Sequence, residues 1–202
     1  MSTPTVRLLS PRNDAHLVPY LAAIHAACIH HDAMVATFLP PLDNDKLLAH
    51  WRAMTAEASA GARLVVIQLD ESEPGLAAKG AELKGVAMLS MPQTETCAHR
   101  GHLEMLMVSP AFRRRGAAGA MMRFIEGEAV NRGRTLILSS VEAGSLAEKT
   151  YPKLGYSECG RVPGCSVSPS GSRVDDVFFY KQLSRDDGEN KPASLATVHS
   201  VN

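Results

Sequence analysis

The 202-residue sequence carries no net charge, because its 21 Lys and Arg residues are balanced by 21 Asp and Glu residues. A balanced chain lacks the positive field that attracts nucleic acid or an anionic membrane, so neither is expected as a partner. The sequence also lacks an apolar run that could span a bilayer, and the segment Met1–Leu9 lacks the basic-then-apolar order of a signal peptide. The four cysteines are too few and too scattered for a disulfide scaffold. We therefore predict a soluble, reduced, cytoplasmic protein.

Aromatic residues make up only 5% of the chain, so Ala, Leu, Val and the nine Met residues must fill the core. Apolar periodicity and turn residues predict seven strands and four helices in the order βααβββαβαββ. The predicted strands are Thr5–Leu9, Arg63–Leu69, Leu83–Met91, Gly101–Val108, Thr135–Ser139, Glu158–Val162 and Val174–Lys181, and the helices Asp14–His31, Asp43–Ala60, Gly116–Arg132 and Ser145–Gly155. This order predicts an α/β fold with a mixed central sheet of about seven strands and about four flanking helices. Residues 1–183 are expected to form one domain, with residues 184–202 as a polar, disordered tail.

One segment, residues 108–119, combines a strand end, a basic loop, small residues and the start of a helix. A helix N-terminus presents unpaired N–H groups to anions, small residues let a diphosphate approach the backbone, and arginines add charged donors. These features predict a pyrophosphate site made of Arg113, Arg114, Arg115, Gly116, Ala117, Ala118 and Gly119. A solvated basic turn before an ordinary helix explains the same residues equally well.

The glycine spacing excludes two common phosphate-binding motifs, since there is no GxxxxGK[ST] and no early GxGxxG. It fits Arg-x-x-Gly-x-Gly/Ala after a strand ending V-x-P, with Arg113, Gly116 and Ala118 at the defining positions. The later pattern A-x-x-x-Y-x-x-L-G-[FY] follows in Ala147, Tyr151, Leu154, Gly155 and Tyr156. Both patterns are those of the GNAT N-acetyltransferase superfamily, which this sequence resembles. Over roughly residues 100–183 it looks most like the tabtoxin-resistance type, in Leu106–Pro110, Glu142–Glu148, Tyr151–Tyr156, Pro163–Gly164 and Pro169–Gly171.

The resemblance implies a GNAT-like fold and acetyl-CoA as cosubstrate, with its pantetheine arm wedged between two splayed strands. It places the main chain of Met107 and Val108 along that arm and the Val108 N–H on the thioester carbonyl, as in an oxyanion hole. Ser145 is a further expected contact with CoA. The resemblance makes Tyr151 the general acid for the leaving thiolate, a role suited to a phenol because it stays protonated at neutral pH. Packing at a helix–sheet seam is the alternative role for Tyr151.

The candidate general bases are His102 and Glu104, on the strand before the signature. The related type has Glu at the position of His102 and Asp at that of Ser140, so this chain departs from the pattern twice. Period-two alternation predicts that His102, Glu104 and Leu106 share one face of the strand. Exposure to solvent for His102, and a structural salt bridge to an Arg on a neighbouring strand for Glu104, are the alternatives.

The resulting prediction is transfer of an acetyl group from acetyl-CoA to a primary amine of a small, amino-acid-like or antimetabolite molecule. Attack is expected to be direct, because no Cys lies at the motif to form an acyl-enzyme. No metal is expected, since Cys97, His99 and His102 lack a nearby fourth ligand. A protein or peptide amine as acceptor and a non-catalytic CoA-binding module remain alternatives, and the sequence is compatible with a homodimer.

Overall fold

The computed structural model describes residues 3–35, 37–71 and 76–184. Its seven strands are β1 (Thr3–Leu8), β2 (Arg63–Glu71), β3 (Leu83–Ser90), β4 (Arg100–Val108), β5 (Leu136–Glu142), β6 (Ser157–Val167) and β7 (Arg173–Gln182). The four α-helices are α1 (Val18–Asp32), α2 (Asn44–Ser59), α3 (Ala117–Asn131) and α4 (Leu146–Thr150). The predicted element order and the predicted mixed α/β sheet are confirmed. The predicted tail lies outside the described residues, except for Ser184.

The strands form one sheet in the order β1-β2-β3-β4-β5-β7-β6. All neighbouring pairs are antiparallel except β4 and β5, which run parallel and are joined through α3. A parallel pair needs a crossover connection, and α3 supplies it. The signature segment therefore lies where the chain leaves β4 and enters this crossover.

The sheet separates two apolar cores, and alternate residues of β2 enter each of them. Val65, Ile67 and Leu69 pack with α1 and α2, whereas Leu64 and Val66 pack with α3. We call these the α1/α2 face and the α3 face of the sheet. No helix within the described ranges is both long and apolar enough to cross a membrane.

Helix α2 begins where the sequence predicts. The Asp43 carboxylate accepts hydrogen bonds from the backbone N–H groups of Asp45 and Lys46, at 2.9 and 3.2 Å. An aspartate at this position satisfies N–H groups that have no partner inside the helix. Gly61, with φ of 76°, follows the end of α2 in a conformation that favours glycine.

Two boundaries differ from the prediction for local reasons. The expected helix Ser145–Gly155 is divided into α4 and a 3₁₀ turn at Pro152–Leu154, since proline cannot donate the helical hydrogen bond. Strand β6 extends to Val167 through Pro163, which an edge strand tolerates.

Two further expectations concern burial and flexibility. The mostly apolar sequence of β5 predicts burial on both faces, which is wrong, because only Ile137 and Ser139 are buried. The Gly-, Ala- and charge-rich composition of Asp70–Glu82 predicts a flexible excursion, of which residues 72–75 lie outside the described residues.

Candidate active site

Strands β4 and β5 separate part-way along their length. Their parallel register runs from Arg100 opposite Leu136 to Leu103 opposite Ser139, and in the described structure it ends there although both strands continue. Beyond that point β4 stays paired with β3, and β5 stays paired with β7 as far as Glu142. The sheet therefore contains a wedge-shaped gap whose apex is the Leu103–Ser139 pair, as the resemblance implies.

The main chain of β4 determines which groups face this gap. Ser109 N–H donates to the carbonyl of Lys84 in β3, at 2.8 Å. In an antiparallel ladder, residue pairs that exchange backbone hydrogen bonds alternate with pairs that do not. Two residues before Ser109, the main chain of Met107 is therefore hydrogen-bonded to Val86. The N–H and C=O groups of Leu106 and Val108 point the other way, toward β5. Of the two residues expected to contact pantetheine, only Val108 thus directs its N–H into the gap.

A β-bulge interrupts β4 next to the apex of the gap. Met88 is opposite Met105 and Leu89 is opposite Leu103, so Glu104 is the extra residue. The bulge reverses the alternation: Leu103 and Leu106 both lie on the α3 face, and Met105 packs against the α1/α2 face. His102 and Glu104, which flank Leu103, lie on the α1/α2 face. The prediction that His102 and Glu104 share a face with Leu106 is wrong, because the extra residue of the bulge moves the side chains that follow it to the opposite face.

Glu104 is held in an ion-pair network with Arg63 of β2. The Arg63 guanidinium, with only 7% of its side chain exposed, contacts the Glu104 carboxylate through one amino group. Its Nε donates to Glu57 of α2 at 2.8 Å. These contacts raise the pKa of Arg63 against the opposing effect of burial. Glu104 therefore forms a structural salt bridge to an Arg, although Arg63 lies two strands away on β2 and not on a neighbouring strand. His102 is half-buried on the same face.

Tyr151 places its hydroxyl at the apex of the gap. The Tyr151 hydroxyl lies 2.9 Å from Ser139 Oγ, and Ser139 donates to the Leu103 carbonyl at 3.1 Å. The phenol ring contacts Tyr156 and Phe179 in the core of the α3 face. Burial raises the pKa of Tyr151 to about 12, so the phenol is protonated at neutral pH. The side chain is thus a packed core residue whose polar end reaches the gap, and both roles considered for it are compatible with this geometry.

The N-terminus of α3 has the geometry of an anion site. Gly116 precedes the helix with φ of 79°, and a glycine offers no side chain to the N–H groups of the first turn. Arg114 also adopts a left-handed conformation, with φ of 60°. The exposed side chains of Arg114 and Arg115 flank this turn, and the described residues give neither of them an ion pair. Ala117 is buried, and Ala118 and Gly119 are half-buried, so little bulk covers the main chain here.

The Arg113 side chain is directed toward α1. Its guanidinium pairs with Asp32 at the end of α1, its Nε donates to the Val108 carbonyl at 3.0 Å, and one amino group lies 3.5 Å from Cys28 Sγ. The guanidinium also holds the pKa of Asp32 below its usual range. The structure thus separates the three arginines into one that joins β4 to α1 and two that have no ion pair among the described residues. The Arg115 guanidinium lies over the Phe112 ring, 5.6 Å from its centroid.

Cys28 is a residue that the sequence did not connect with this region. The fold brings its sulfur to 3.7 Å from the Val108 carbonyl. Burial raises the pKa of the Cys28 thiol, and a buried, protonated thiol is a poor nucleophile. Direct attack on the thioester therefore remains the expected chemistry.

Ser145 caps α4. Its hydroxyl accepts the backbone N–H of Glu148 at 3.2 Å, and Glu148 in turn pairs with Arg161 of β6. Its contact with CoA stays a prediction. Among the described residues there is no group of three or more His, Cys, Asp or Glu side chains that could hold a metal ion.

The family follows from comparison with known proteins. The family model described as the acetyltransferase (GNAT) domain matches residues 43–164, which is more than half of the chain. The protein therefore belongs to the GNAT acetyltransferase family. This match includes β4, the arginine loop, α3 and Tyr151.

Individual relatives agree with this assignment. Residues of this chain are 34% identical over 106 residues to the catalytic subunit naa20 of the N-terminal acetyltransferase B complex of Schizosaccharomyces pombe. That alignment covers 48% of this chain and spans 59% of the length of the relative. Among solved structures, yncA of Salmonella typhimurium, determined with its cofactor acetyl-CoA, superposes with a TM-score of 0.67 at 19% identity, covering 94% of this chain and 99% of that one. The ribosomal-protein-alanine N-acetyltransferase of Brucella melitensis gives a TM-score of 0.67 at 20% identity, covering 89% and 99%. These two structures share the fold of the chain described here.

Proposed function

We propose that this protein is an N-acetyltransferase that moves the acetyl group of acetyl-CoA to a primary amine of a small molecule, by direct attack in a ternary complex. The observation that carries the proposal is the position of the Tyr151 hydroxyl at the apex of the gap between β4 and β5. The gap is lined by main-chain groups without a strand partner, and the free N-terminus of α3 lies at its open end. A thioester held in the gap would have its carbonyl near the Val108 N–H and its sulfur near a phenol.

In this reaction each group around the gap has its own chemical task. The first turn of α3, with Arg114 and Arg115, binds the diphosphate of CoA through N–H groups and positive charge. The Val108 N–H polarises the thioester carbonyl, and this contact strengthens as negative charge develops on the oxygen. The amine nitrogen attacks the carbonyl carbon, the carbon–sulfur bond breaks, and the Tyr151 O–H protonates the departing sulfur. His102 or Glu104 takes the proton that the attacking amine loses.

A small amine is the acceptor that the resemblance to the tabtoxin-resistance type favours, over Leu106–Pro110 and the segments after it. A peptide α-amine is the second candidate, favoured by the names of two similar proteins, the N-terminal acetyltransferase subunit and the ribosomal-protein-alanine N-acetyltransferase.

A panel of amines with acetyl-CoA tests both candidates through the release of free thiol. The panel contains amino acids, small polyamines, amino-acid-like antimetabolites and peptides with free N-termini. We expect turnover with one class and a higher melting temperature in the presence of CoA, which binds the folded state. Stabilisation by CoA without thiol release for any amine would support the non-catalytic binding module instead. No stabilisation and no turnover would contradict the proposed function.

A further inference from the structure

We propose that Ser139 is a positioning residue for proton donation by Tyr151, with its hydroxyl turning from the Leu103 carbonyl to the phenol oxygen as the proton leaves. This inference rests on the proposed function, since it assumes that Tyr151 protonates the sulfur of CoA. It assigns a task to a residue that neither motif contains.

The contacts of Ser139 define a three-group chain at the apex of the gap. Ser139 Oγ lies 3.1 Å from the Leu103 carbonyl oxygen and 2.9 Å from the Tyr151 hydroxyl. A serine hydroxyl has a single proton, whereas a carbonyl can only accept. When Ser139 donates to Leu103, it must therefore accept from Tyr151. The resting arrangement thus fixes the direction of the phenol proton and the position of the ring oxygen.

Ser139 and Tyr151 are isolated from water. Their exposed fractions are 2% and 3%, and Ser139 is the hydrogen-bond partner that the described residues give the Tyr151 hydroxyl. Burial alone makes a phenol a weaker acid, because it disfavours the charged phenolate. In Tyr151 the contact with Ser139 opposes this effect of burial on the pKa. A buried tyrosine that donates a proton needs such a partner for the oxygen it leaves behind.

Transfer of the Tyr151 proton requires a second orientation of the Ser139 hydroxyl. Before it can be donated, the Tyr151 proton turns from Ser139 Oγ to the sulfur. As the carbon–sulfur bond breaks, this proton moves to the sulfur and the phenol oxygen becomes negatively charged. The Ser139 proton then turns from the neutral Leu103 carbonyl to this oxygen, because a hydrogen bond to a charged acceptor is the stronger one. No proton leaves Ser139. Reprotonation of Tyr151, directly or through the product amine, returns Ser139 to Leu103.

The position of Ser139 in the sheet explains how one strand residue contacts both the Leu103 carbonyl and the Tyr151 hydroxyl. Leu103 and Ser139 are the last paired residues before β4 and β5 separate. A side chain on the α3 face at this register therefore bridges the fixed part of the sheet and the gap. The carbonyl of the paired strand and the hydroxyl of Tyr151 are both within reach of a serine Oγ.

Substitution of Ser139 tests the inference with turnover of acetyl-CoA and the best amine of the panel. Ser139→Ala should lower kcat roughly tenfold, less than the 10²-fold expected for loss of the acid itself, with the KM for acetyl-CoA unchanged. Ser139→Thr, which keeps the hydroxyl, should restore most of kcat. The solvent isotope effect on kcat should rise in Ser139→Ala, because proton transfer becomes slower relative to the other steps. Ser168→Ala, at a buried serine of the turn between β6 and β7, is the matched control and should leave kcat and the isotope effect unchanged.

A double substitution separates positioning from packing. In the Tyr151→Phe background, Ser139→Ala should cause no further loss of kcat, because the two groups act as a unit. A purely structural role predicts losses that multiply in the double variant, together with a fall in melting temperature. Equal kcat for Ser139→Ala and the wild type, or multiplying losses, would overturn the inference while the proposed function stands. A wild-type protein without turnover of any amine, and without slow hydrolysis of acetyl-CoA, would overturn both.

Discussion

The guanidinium of Arg113 reaches back across 81 residues to the carboxylate of Asp32, and one of its amino groups lies 2.5 Å from Asp32 Oδ1. This ion pair joins the loop after β4 to the end of α1, whereas the described residues give Arg114 and Arg115 no ion pair. The first arginine of the signature is thus tied to the α1/α2 side of the molecule. Binding of the pyrophosphate by Arg113 stays a prediction, and its test must separate a loss of affinity for CoA from a loss of protein stability.

The three arginines should respond differently to truncation. Arg115→Ala should weaken CoA binding on the order of fivefold without changing the melting temperature, since it removes one exposed charge near a phosphate. Arg113→Ala should lower the free energy of unfolding by about 1 kcal/mol, because it breaks a half-buried ion pair and leaves Asp32 without this partner. Calorimetry with CoA and thermal unfolding measure the two effects.

A matched ligand distinguishes the pyrophosphate from the rest of CoA. Replacing CoA by its 3′-dephospho form should preserve the ratio of affinities between the wild type and Arg115→Ala. Higher salt should reduce that ratio, because exposed charges are screened. Unchanged affinity in Arg114→Ala, Arg115→Ala and their double variant would remove the diphosphate site from this loop.

Tyr151→Phe deletes one hydroxyl and keeps a ring that packs on Tyr156 and Phe179. We expect kcat to fall on the order of 10²-fold with little change in CoA binding, as for loss of a general acid. Tyr156→Phe is the matched control, since Tyr156 is equally buried, with 3% exposed, and packs against the Tyr151 ring, but among the described residues its hydroxyl has no hydrogen bond to Ser139. It should retain kcat within about threefold. Wild-type kcat in Tyr151→Phe would leave Tyr151 with its packing role alone.

The two candidate bases lie on the same face but in different surroundings. Glu104 pairs with Arg63, whereas His102 has no ion pair among the described residues. If His102 accepts the proton of the amine, His102→Ala should remove the acidic limb of the pH profile of kcat/KM and lower its value at neutral pH. If Glu104 is the base, His102→Ala should be nearly silent and Glu104→Gln should cause the larger loss.

A structural role of Glu104 predicts a change in protein stability. Glu104→Gln would then lower the melting temperature, because Arg63 is buried and loses one of its two carboxylate partners. Arg63→Met with Glu104→Gln should recover part of that stability, since no unpaired charge is left buried. Profiles unaltered in both His102→Ala and Glu104→Gln would indicate an amine that arrives already neutral.

The sequence predicted the fold well because its signals are local. The apolar stripe of α3, the Asp43 cap and the V-x-P strand end each act within a few residues, and the structure confirms all three elements. The motifs that contain Tyr151 and the three arginines also lie within short segments, and the roles that the resemblance gives these residues stay predictions.

The bulge at Glu104 has no comparable signal. It depends on how β3 and β4 align, and it reverses the faces of Leu106 and Met107 without any change in local composition. Contacts between distant segments were missed for the same reason: Arg113 with Asp32, Cys28 with Val108, and Tyr151 with Ser139. Each joins residues whose types are common at surfaces or in cores, so only the fold identifies them.

His25 of α1 is another residue that only the fold makes notable. It is fully buried among aromatic rings, with Phe38, His50 and Trp51 at centroid distances of 5.7, 5.8 and 6.0 Å. Neither of its ring nitrogens has a hydrogen-bond partner in the described structure. Burial lowers the pKa of His25 to about 4, and the neighbouring His50 acts in the same direction. The imidazole is therefore neutral in the folded protein over most of the acidic range.

This difference between folded and unfolded states should make the stability depend on pH. Above about pH 6.5 His25 is neutral in both states, so it contributes no pH dependence. Between about pH 6.5 and pH 4 the unfolded chain binds a proton that the folded protein does not, so the free energy of unfolding falls as the pH falls. The loss attributable to His25 should be on the order of 3 kcal/mol at pH 4. Denaturant unfolding at several pH values should show a shallower decline in His25→Phe than in the wild type, with the His50 contribution common to both. The exposed control His99→Gln should follow the wild-type curve, and a His25→Phe curve parallel to wild type would show that His25 is protonated equally in both states.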